Sequence, residues 1–344
     1  MPHSPLKVTG TLATGFAATE RTPMTALQDL VGDARRLVVT TSLCANPDDR
    51  ELIRADIAPV QVLADNGFTT IDWLQPFGEL GLSALALLDP QRLLIVDGDV
   101  IHLAHQGGPI ESLDGLYRDL HEVVVEGDEI LAANTGNDEV VILDRSTLQE
   151  LRRVRPQTAG SGDGIEAIDR FHLNQGLRLP SGELIALVHH VTGRQLVTRL
   201  KARILKSHGD GGVAGLEGGP NIPLNLAAPH NIRVLSDGFL VFDSGRAMGR
   251  RYDTSWTQVM EFETAGWGRG CAVDEDADLV YIGSSPPRLR YKKQLQGRAT
   301  DRPVVEARRL SDGSLLASDI VSSCEQINNL YLFDTDDYQR HFDR

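Results

Sequence analysis

The segment HEVVVEGDEILAANTGNDEVVILD, His121 to Asp144, reads as three short strands separated by two turns. Val123 to Val125, Ile130 to Ala133 and Val140 to Leu143 are apolar runs, and Glu126 to Asp128 and Thr135 to Asp138 separate them. Short apolar runs punctuated by Gly, Asn and Asp mark antiparallel strands joined by tight turns. The unit recurs as HLNQGLRLPSGELIALVHH (His172 to His190), HNIRVLSDGFLVFDSG (His230 to Gly245) and RGCAVDEDADLVYIGSS (Arg269 to Ser285). Weaker copies are LSALALLDPQRLLIVDGD, from Leu82, and EQINNLYLFD, from Glu325.

Six starts result: Ser83, His121, His172, His230, Arg269 and Glu325. They are spaced by roughly 40 to 60 residues, the interval of a four-stranded propeller blade with loops of varying length. The last copy holds only part of a blade. RRLVVTTS (Arg35 to Ser42) and FTTIDWL (Phe68 to Leu74) supply the missing strands, so the two ends of the chain pair and no sheet edge is left open. The expected fold is all-β, a six-bladed β-propeller closed by N- and C-terminal strands. A β-sandwich would use as many strands but gives no reason for the recurrence. Short N-terminal helices are expected over Met24 to Arg35 and from Asn46 to Ile57, the second marked by Pro47 in its first turn. Residues 1–24 read as a flexible N-terminal arm and 25–344 as one propeller domain.

These blades resemble the six-bladed propellers of the NHL, gluconolactonase and strictosidine synthase type, and within it uncharacterised propeller proteins whose blades start HN and RG. The resemblance spans about Arg35 to Asp334 and implies the fold, not the chemistry.

Composition narrows the partners. The 344 residues carry 48 acidic against 34 basic side chains, a formal charge of −14, which repels nucleic-acid phosphates and anionic lipid surfaces. No apolar run approaches the roughly 18 residues of a membrane span, and MPHSPLKVTG lacks the layout of a secretion signal. No nucleic acid and no membrane are therefore expected, and the expected compartment is the cytoplasm. Cys44, Cys271 and Cys324 have no CxxC spacing and fit neither a disulfide framework nor a zinc finger.

In propellers of this kind the innermost strand starts, and the next strand ends, at one mouth of the central channel. The starts are the six residues above. The strand ends are Asp97, Asn134, His190, Asp243, Ser284 and Asp334, with His190 preferred over the adjacent His189 by alignment with Asn134. Three starts, His121, His172 and His230, are histidines on successive blades. Three imidazoles converging on one point suit a divalent metal, zinc or iron in preference to calcium, whose oxygen ligands Asn134, Asp243, Glu325 and Asn174 could supply. Glu122, Asp243 and Glu325 are carboxylates near the rim, able to orient an imidazole or move a proton. Arg269 is suited to hold a carboxylate or phosphate, with Arg246, Arg288 and Arg290 extending a basic lining. The sketch resembles peptidyl-hydroxyglycine amidating lyase, without that enzyme's secretory disulfides.

The reading is a metal-dependent enzyme, a lyase or hydrolase, acting on a small anionic substrate through His121, His172 and His230, with Arg269, Glu325 and Asp243 as its catalytic residues. Two alternatives stand beside it: ferrous redox chemistry at the same ligands, and a non-enzymatic protein-interaction propeller whose histidines only bond neighbouring backbone. The sequence sets no oligomeric state. GDGGVAGLEGGPNIP, Gly209 to Pro223, matches no phosphate loop and reads as a mobile loop over the mouth. Cys271 and Cys324 read as small buried hydrophobes.

Overall fold

A computed structural model describes residues 25–42, 57–77, 81–157, 169–193, 209–293, 295 and 297–343. The expected arm, the helix from Asn46 and Cys44 lie outside these residues, apart from Ile57 at that helix's end.

Six four-stranded antiparallel sheets form six blades. Blade one is β4–β7 (Ala84–Asp89, Arg92–Asp97, Val100–His105, Ile110–Leu113). Blade two is β8–β11 (Leu120–Glu126, Glu129–Asn134, Glu139–Asp144, Glu150–Val154). Blade three is β12–β15 (Leu173–Arg178, Leu184–Val188, Gly211–Gly215, Ile222–Leu226). Blade four is β16–β19 (Pro229–Leu235, Gly238–Asp243, Met248–Asp253, Gln258–Glu263) and blade five is β20–β23 (Trp267–Asp274, Leu279–Ser285, Val304–Arg309, Leu315–Ile320). Blade six joins the chain ends, with β24 (Gln326–Asp334) innermost against β1–β3 (Arg35–Ser42, Val60–Ala64, Gly67–Thr70).

The closure is strong because β1 and β24 pair along their length, from Arg35 opposite Asp334 to Ser42 opposite Gln326. Helix α1 (Leu27–Val31) is shorter than expected, since Gly32 ends it with φ 73°. Phe68 to Leu74 is half strand and half a 3-10 turn at Asp72–Leu74.

The insertion at Gly209 to Pro223 is not a lid. Gly211–Gly215 and Ile222–Leu226 are the third and fourth strands of blade three, and Gly211–Gly215 is buried throughout. Glycine is required there by crowding: a Cβ on Gly212 would lie 2.3 Å from the Ile222 carbonyl oxygen. A run without side chains carries no period-2 signal, so its strand character was hidden.

The core is six seams, one between each pair of neighbouring blades. Leu131, Ala133, Val140 and Ile142 of blade two, for example, meet Leu173, Leu184, Ala186 and Val188 of blade three. Hydroxyls tie the seams at the rim. Thr135 Oγ1 donates to the Leu173 carbonyl and Ser244 Oγ to the Gly268 carbonyl, while Ser285 Oγ accepts from Ile327 N–H at 2.9 Å. Each joins the end of one blade's second strand to the next blade's innermost strand.

The innermost strands of blades two to five bulge near their starts, between Leu120 and Val123, Leu173 and Gln175, His230 and Ile232, and Gly268 and Cys271. Blade six has its own at Ile327 to Asn329. A bulge opposes two residues to one and re-aims side chains, so a ring of polar residues is turned inward at one height. Among the described residues no helix is long and apolar enough to cross a membrane.

Candidate functional site: a histidine-lined channel mouth

The sequence placed His121, His172 and His230 at repeat-related starts, and the structure brings their rings into one chain of contacts. His121 and His172 have ring centroids 5.3 Å apart, His172 and His189 4.3 Å, and His189 and His230 5.1 Å. Trp267, fully buried, backs His230 at 5.6 Å, and Tyr291 packs on Trp267 at 4.8 Å.

His189, not His190, is the fourth imidazole. Its backbone N–H donates to the His172 carbonyl at 3.2 Å, while the backbone N–H of His190 donates to the Phe171 carbonyl and the His190 ring lies 6.3 Å from that of His189. The alignment was one residue off. His172 itself is out of step: Leu173 pairs with Val188, so His172 matches Leu120 and Pro229, the residues before His121 and His230. It still joins the cluster through a left-handed backbone, φ 51°.

The imidazoles are held by a repeated device. Asp119 (φ 53°) and Ala228 (φ 49°) both adopt the left-handed conformation two residues before a histidine. The Asp119 carbonyl accepts from His121 Nδ1 at 3.1 Å, and the Ala228 carbonyl from His230 Nδ1 at 3.0 Å. His230 Nδ1 also lies 3.0 Å from Ser244 Oγ. His172 Nδ1 donates to Asp169 Oδ1 at 2.8 Å. A carbonyl only accepts, so a neutral His121 or His230 must carry its proton on Nδ1 and keep its lone pair on Nε2. Metal-ligating imidazoles are oriented in this way.

Electrostatics keep His121 and His230 neutral. Burial pushes His121 down to about 4, opposed by Asp119 and reinforced by His172 and Arg269. His230 is lowered well below 6.5 by burial and then by the charges of Arg269 and Arg288. Two guanidinium groups thus bear on the cluster, both from blade five: Arg269 in β20 and Arg288 in the connection from β21 to β22. Arg269 Nη1 donates to Gln326 Oε1 at 3.3 Å, and Glu325 stands immediately before Gln326.

Three imidazoles on one tetrahedral ion, with Zn–N near 2.0–2.1 Å, bring ring centroids to about 4.5–5.2 Å. Of the three expected ligands, His121 and His172 stand 5.3 Å apart, and His230 is linked to His172 through His189. Among the described residues no three His, Cys, Asp or Glu side chains stand arranged to hold a metal ion. A metal would have to turn rings that now pack edge to face or tilted.

Asp243, expected to move protons, does something else. It is fully buried, paired with Arg246 and with Arg250 at 3.1 Å, and accepts from Ala227 N–H at 2.8 Å. Asn134 plays the same part in blade two, accepting from Arg118 N–H at 2.7 Å and donating to Glu139 at 2.8 Å. Ser284 donates to Glu306 at 3.0 Å. These strand-end residues hold loops and outer strands and are spent on structure. Asp334 lies at the opposite end of its blade, paired with Arg35. Arg246 is committed to Asp243, and the Arg290 side chain lies outside the described residues.

Glu122 also faces away from the histidines. Its Oε2 accepts from Asn329 Nδ2, whose Oδ1 accepts from Asn231 at 3.2 Å and Arg233 at 3.3 Å. Arg233 donates further to the Cys271 carbonyl at 2.7 and 2.9 Å. This polar layer joins blades two, four, five and six. A cavity of about 750 Å³ lies beside Glu122 and Arg233, with none of these histidines in its lining. The thiols of Cys271 (pushed up to about 12) and Cys324 (also raised) are both kept protonated by burial.

Fold and site together define a six-bladed β-propeller with a histidine- and arginine-lined mouth. Among solved structures the chain is similar to a protein of unknown function from Bacteroides caccae, at 10% identity over 88% of this chain and 99% of that one, with a TM-score of 0.56. It is similar to a chain of a nidogen/laminin complex, at 11% identity over 87% and 98%, TM-score 0.55. A streptogramin B lyase structure matches at 9% identity over 85% and 76%, TM-score 0.45. No family model and no curated protein matches the chain. At these identities the likeness is one of fold, the six-bladed propeller expected from the repeats.

Proposed function

We propose that the histidine mouth is the active site of a metal-dependent enzyme, of lyase or hydrolase type, for a small anionic molecule. The observation that carries this is the common orientation of three imidazoles, with Nδ1 of His121, His172 and His230 each committed to an oxygen of the protein. Their Nε2 atoms are the donors left for a divalent metal, zinc or iron. His189, between His172 and His230, is a fourth donor. When bound, the metal would polarise a substrate oxygen or acidify a water molecule. Burial disfavours protonation of His121 and His230, which preserves their lone pairs at neutral pH. Arg269 would hold the substrate's carboxylate or phosphate, and Glu325, next in the chain to the Gln326 that Arg269 bonds, would transfer protons. Ferrous redox chemistry would use the same ligands.

A second reading is metal-free. The positive fields of Arg269 and Arg288 oppose a cation, and the rings are not yet gathered for one. Neutral imidazoles would then act as general bases on an anion held by the arginines. Elemental analysis of protein purified without chelator separates the two. About one metal per chain in the wild type, lost in His172→Ala and His230→Ala, supports the first reading. A content near zero in all three overturns it.

A further inference from the structure

We infer that the histidine mouth takes a small molecule with two separate anionic groups, one held by Arg269 and Arg288 beside the imidazoles and the other by Lys292 and Lys293 at the rim. This rests on the anionic substrate proposed above and narrows its class. Trp267 opens β20 opposite Ser285, the last residue of β21, so the connection from Ser285 to Val304 leaves from this mouth. Its short helix, Leu289–Lys292, is seated on the site: the Tyr291 ring packs on Trp267 at 4.8 Å, and the Trp267 ring on His230 at 5.6 Å. Lys292 and Lys293 follow Tyr291 and are exposed, whereas the charges of Arg269 and Arg288 reach the buried His230.

The choice of cation separates binding from structure. Residues 286–303 carry six basic side chains and one acidic, in a chain of net charge −14. Lys292 and Lys293 are the only lysines among the described residues. Elsewhere the cation is arginine, whose planar fork fixes ion pairs such as Arg178–Glu129 and Arg308–Glu306. Lysine is a flexible, hydrated point charge that takes phosphate without a fixed geometry, so a pair of them at the rim suits capture of a ligand. Trp267 supplies an independent observation. It is fully buried, yet its Nε1 has no hydrogen-bond partner among the described residues. An indole N–H only donates, so the group it lacks is an acceptor, such as an anion's oxygen. The carboxylates of Asp119 and Asp169 lie against His121 and His172 instead. Two cationic pairs set apart are matched by two linked anionic groups better than by one, because the first contact raises the effective concentration of the second.

Calorimetric titration of the full chain with butane-1,4-bisphosphonate and butylphosphonate tests the inference. The bisphosphonate should bind at least about tenfold more tightly, a margin that shrinks as salt screens the exposed lysines. Lys292→Gln with Lys293→Gln should remove the margin and leave butylphosphonate affinity within about twofold, whereas Arg269→Ala should weaken both ligands. Arg309→Gln with Arg340→Gln makes the same change in net charge at the opposite end of the propeller, and the margin should persist there. Lys292 and Lys293 are exposed, and melting temperatures check that the variants fold. Equal binding of the two phosphonates, a margin that survives the lysine variant, or an equal loss in the arginine control overturns the inference and leaves the anionic site standing. Binding of neither phosphonate overturns the anionic reading and the inference with it.

Discussion

His230 Nδ1 and Ser244 Oγ meet at 3.0 Å, and Ser244 in turn donates to the Gly268 carbonyl of the next blade. The residue that latches blade four to blade five therefore also orients a candidate catalytic imidazole. Ser244→Ala should cost about 1–2 kcal/mol, the range for losing a buried hydrogen bond, and also weaken metal or anion binding. Thr135→Ala removes the equivalent latch to Leu173 without touching a histidine of the cluster. It should cost similar stability and leave binding intact; denaturant titration and binding on both variants make the comparison.

Asp243→Asn keeps an acceptor for the Ala227 N–H but leaves Arg246 and Arg250 without their buried counter-charge. Breaking a buried pair from one side costs about 3–5 kcal/mol. The variant should show a clear fall in denaturation midpoint. Activity per folded molecule, measured at a temperature where the variant is native, should be retained.

Acid should destabilise the protein through the cluster. His121 is held near 4 in the folded state against 6.5 unfolded, so between those values the unfolded chain binds more protons and stability rises with pH. Its contribution is complete above about 6.5 and lost as pH falls toward 4. Glu122 runs the other way: burial raises it to about 7 from 4.5, so its contribution is present below 4.5 and lost as pH rises through 7. Melting curves from pH 4 to 8 should show a shallower acid limb in His121→Gln. The difference between Glu122→Gln and wild type should grow in favour of the variant as pH rises from about 4.5 to 7 and level off above that.

Arg269→Ala should weaken binding of an anionic ligand, read with inorganic phosphate, by about tenfold or more, because a charge-assisted donor is lost. The melting temperature, read alongside, should change little. A collapse in stability with unchanged phosphate affinity would assign Arg269 to structure.

Gly270→Ala places a Cβ 2.7 Å from the Asn329 carbonyl carbon. Backbone at that distance does not yield easily, so about 1–3 kcal/mol of destabilisation is expected, read by thermal unfolding. The same close approach of β20 to β24 explains why one blade starts Arg-Gly. The His-Asn start of blade four has its own reason: Asn231 sits at φ 52°, where Asn is tolerated, and reaches Asn329.

The propeller was legible because its evidence is local. Each blade repeats strand, turn and strand within about twenty residues, and Gly, Asn and Asp mark the breaks. The pairing of Arg35 to Ser42 with the C-terminal strand followed from a shortage of strands in the last repeat, and the ladder from Asp334 to Gln326 bears it out. Three histidines could be placed at one mouth for the same reason. His189 was lost to His190 because a one-residue shift in a strand exchanges its faces, and a bulge makes that shift invisible in the letters.

What the amino-acid sequence determined alone is the blade count, the order of strands and the polar character of the channel, because turn chemistry and alternation act between near neighbours in the chain. Only the tertiary structure decided which polar groups are spent and which remain available. Asp243 is consumed by arginines of its own blade, Glu122 lines a cavity that none of the histidines line, and Asp119 and Ala228 orient two imidazoles through their carbonyls. Those outcomes depend on bulges, left-handed residues and contacts between blades some fifty residues or more apart, where the direction of a side chain is set by neighbours the local sequence does not name.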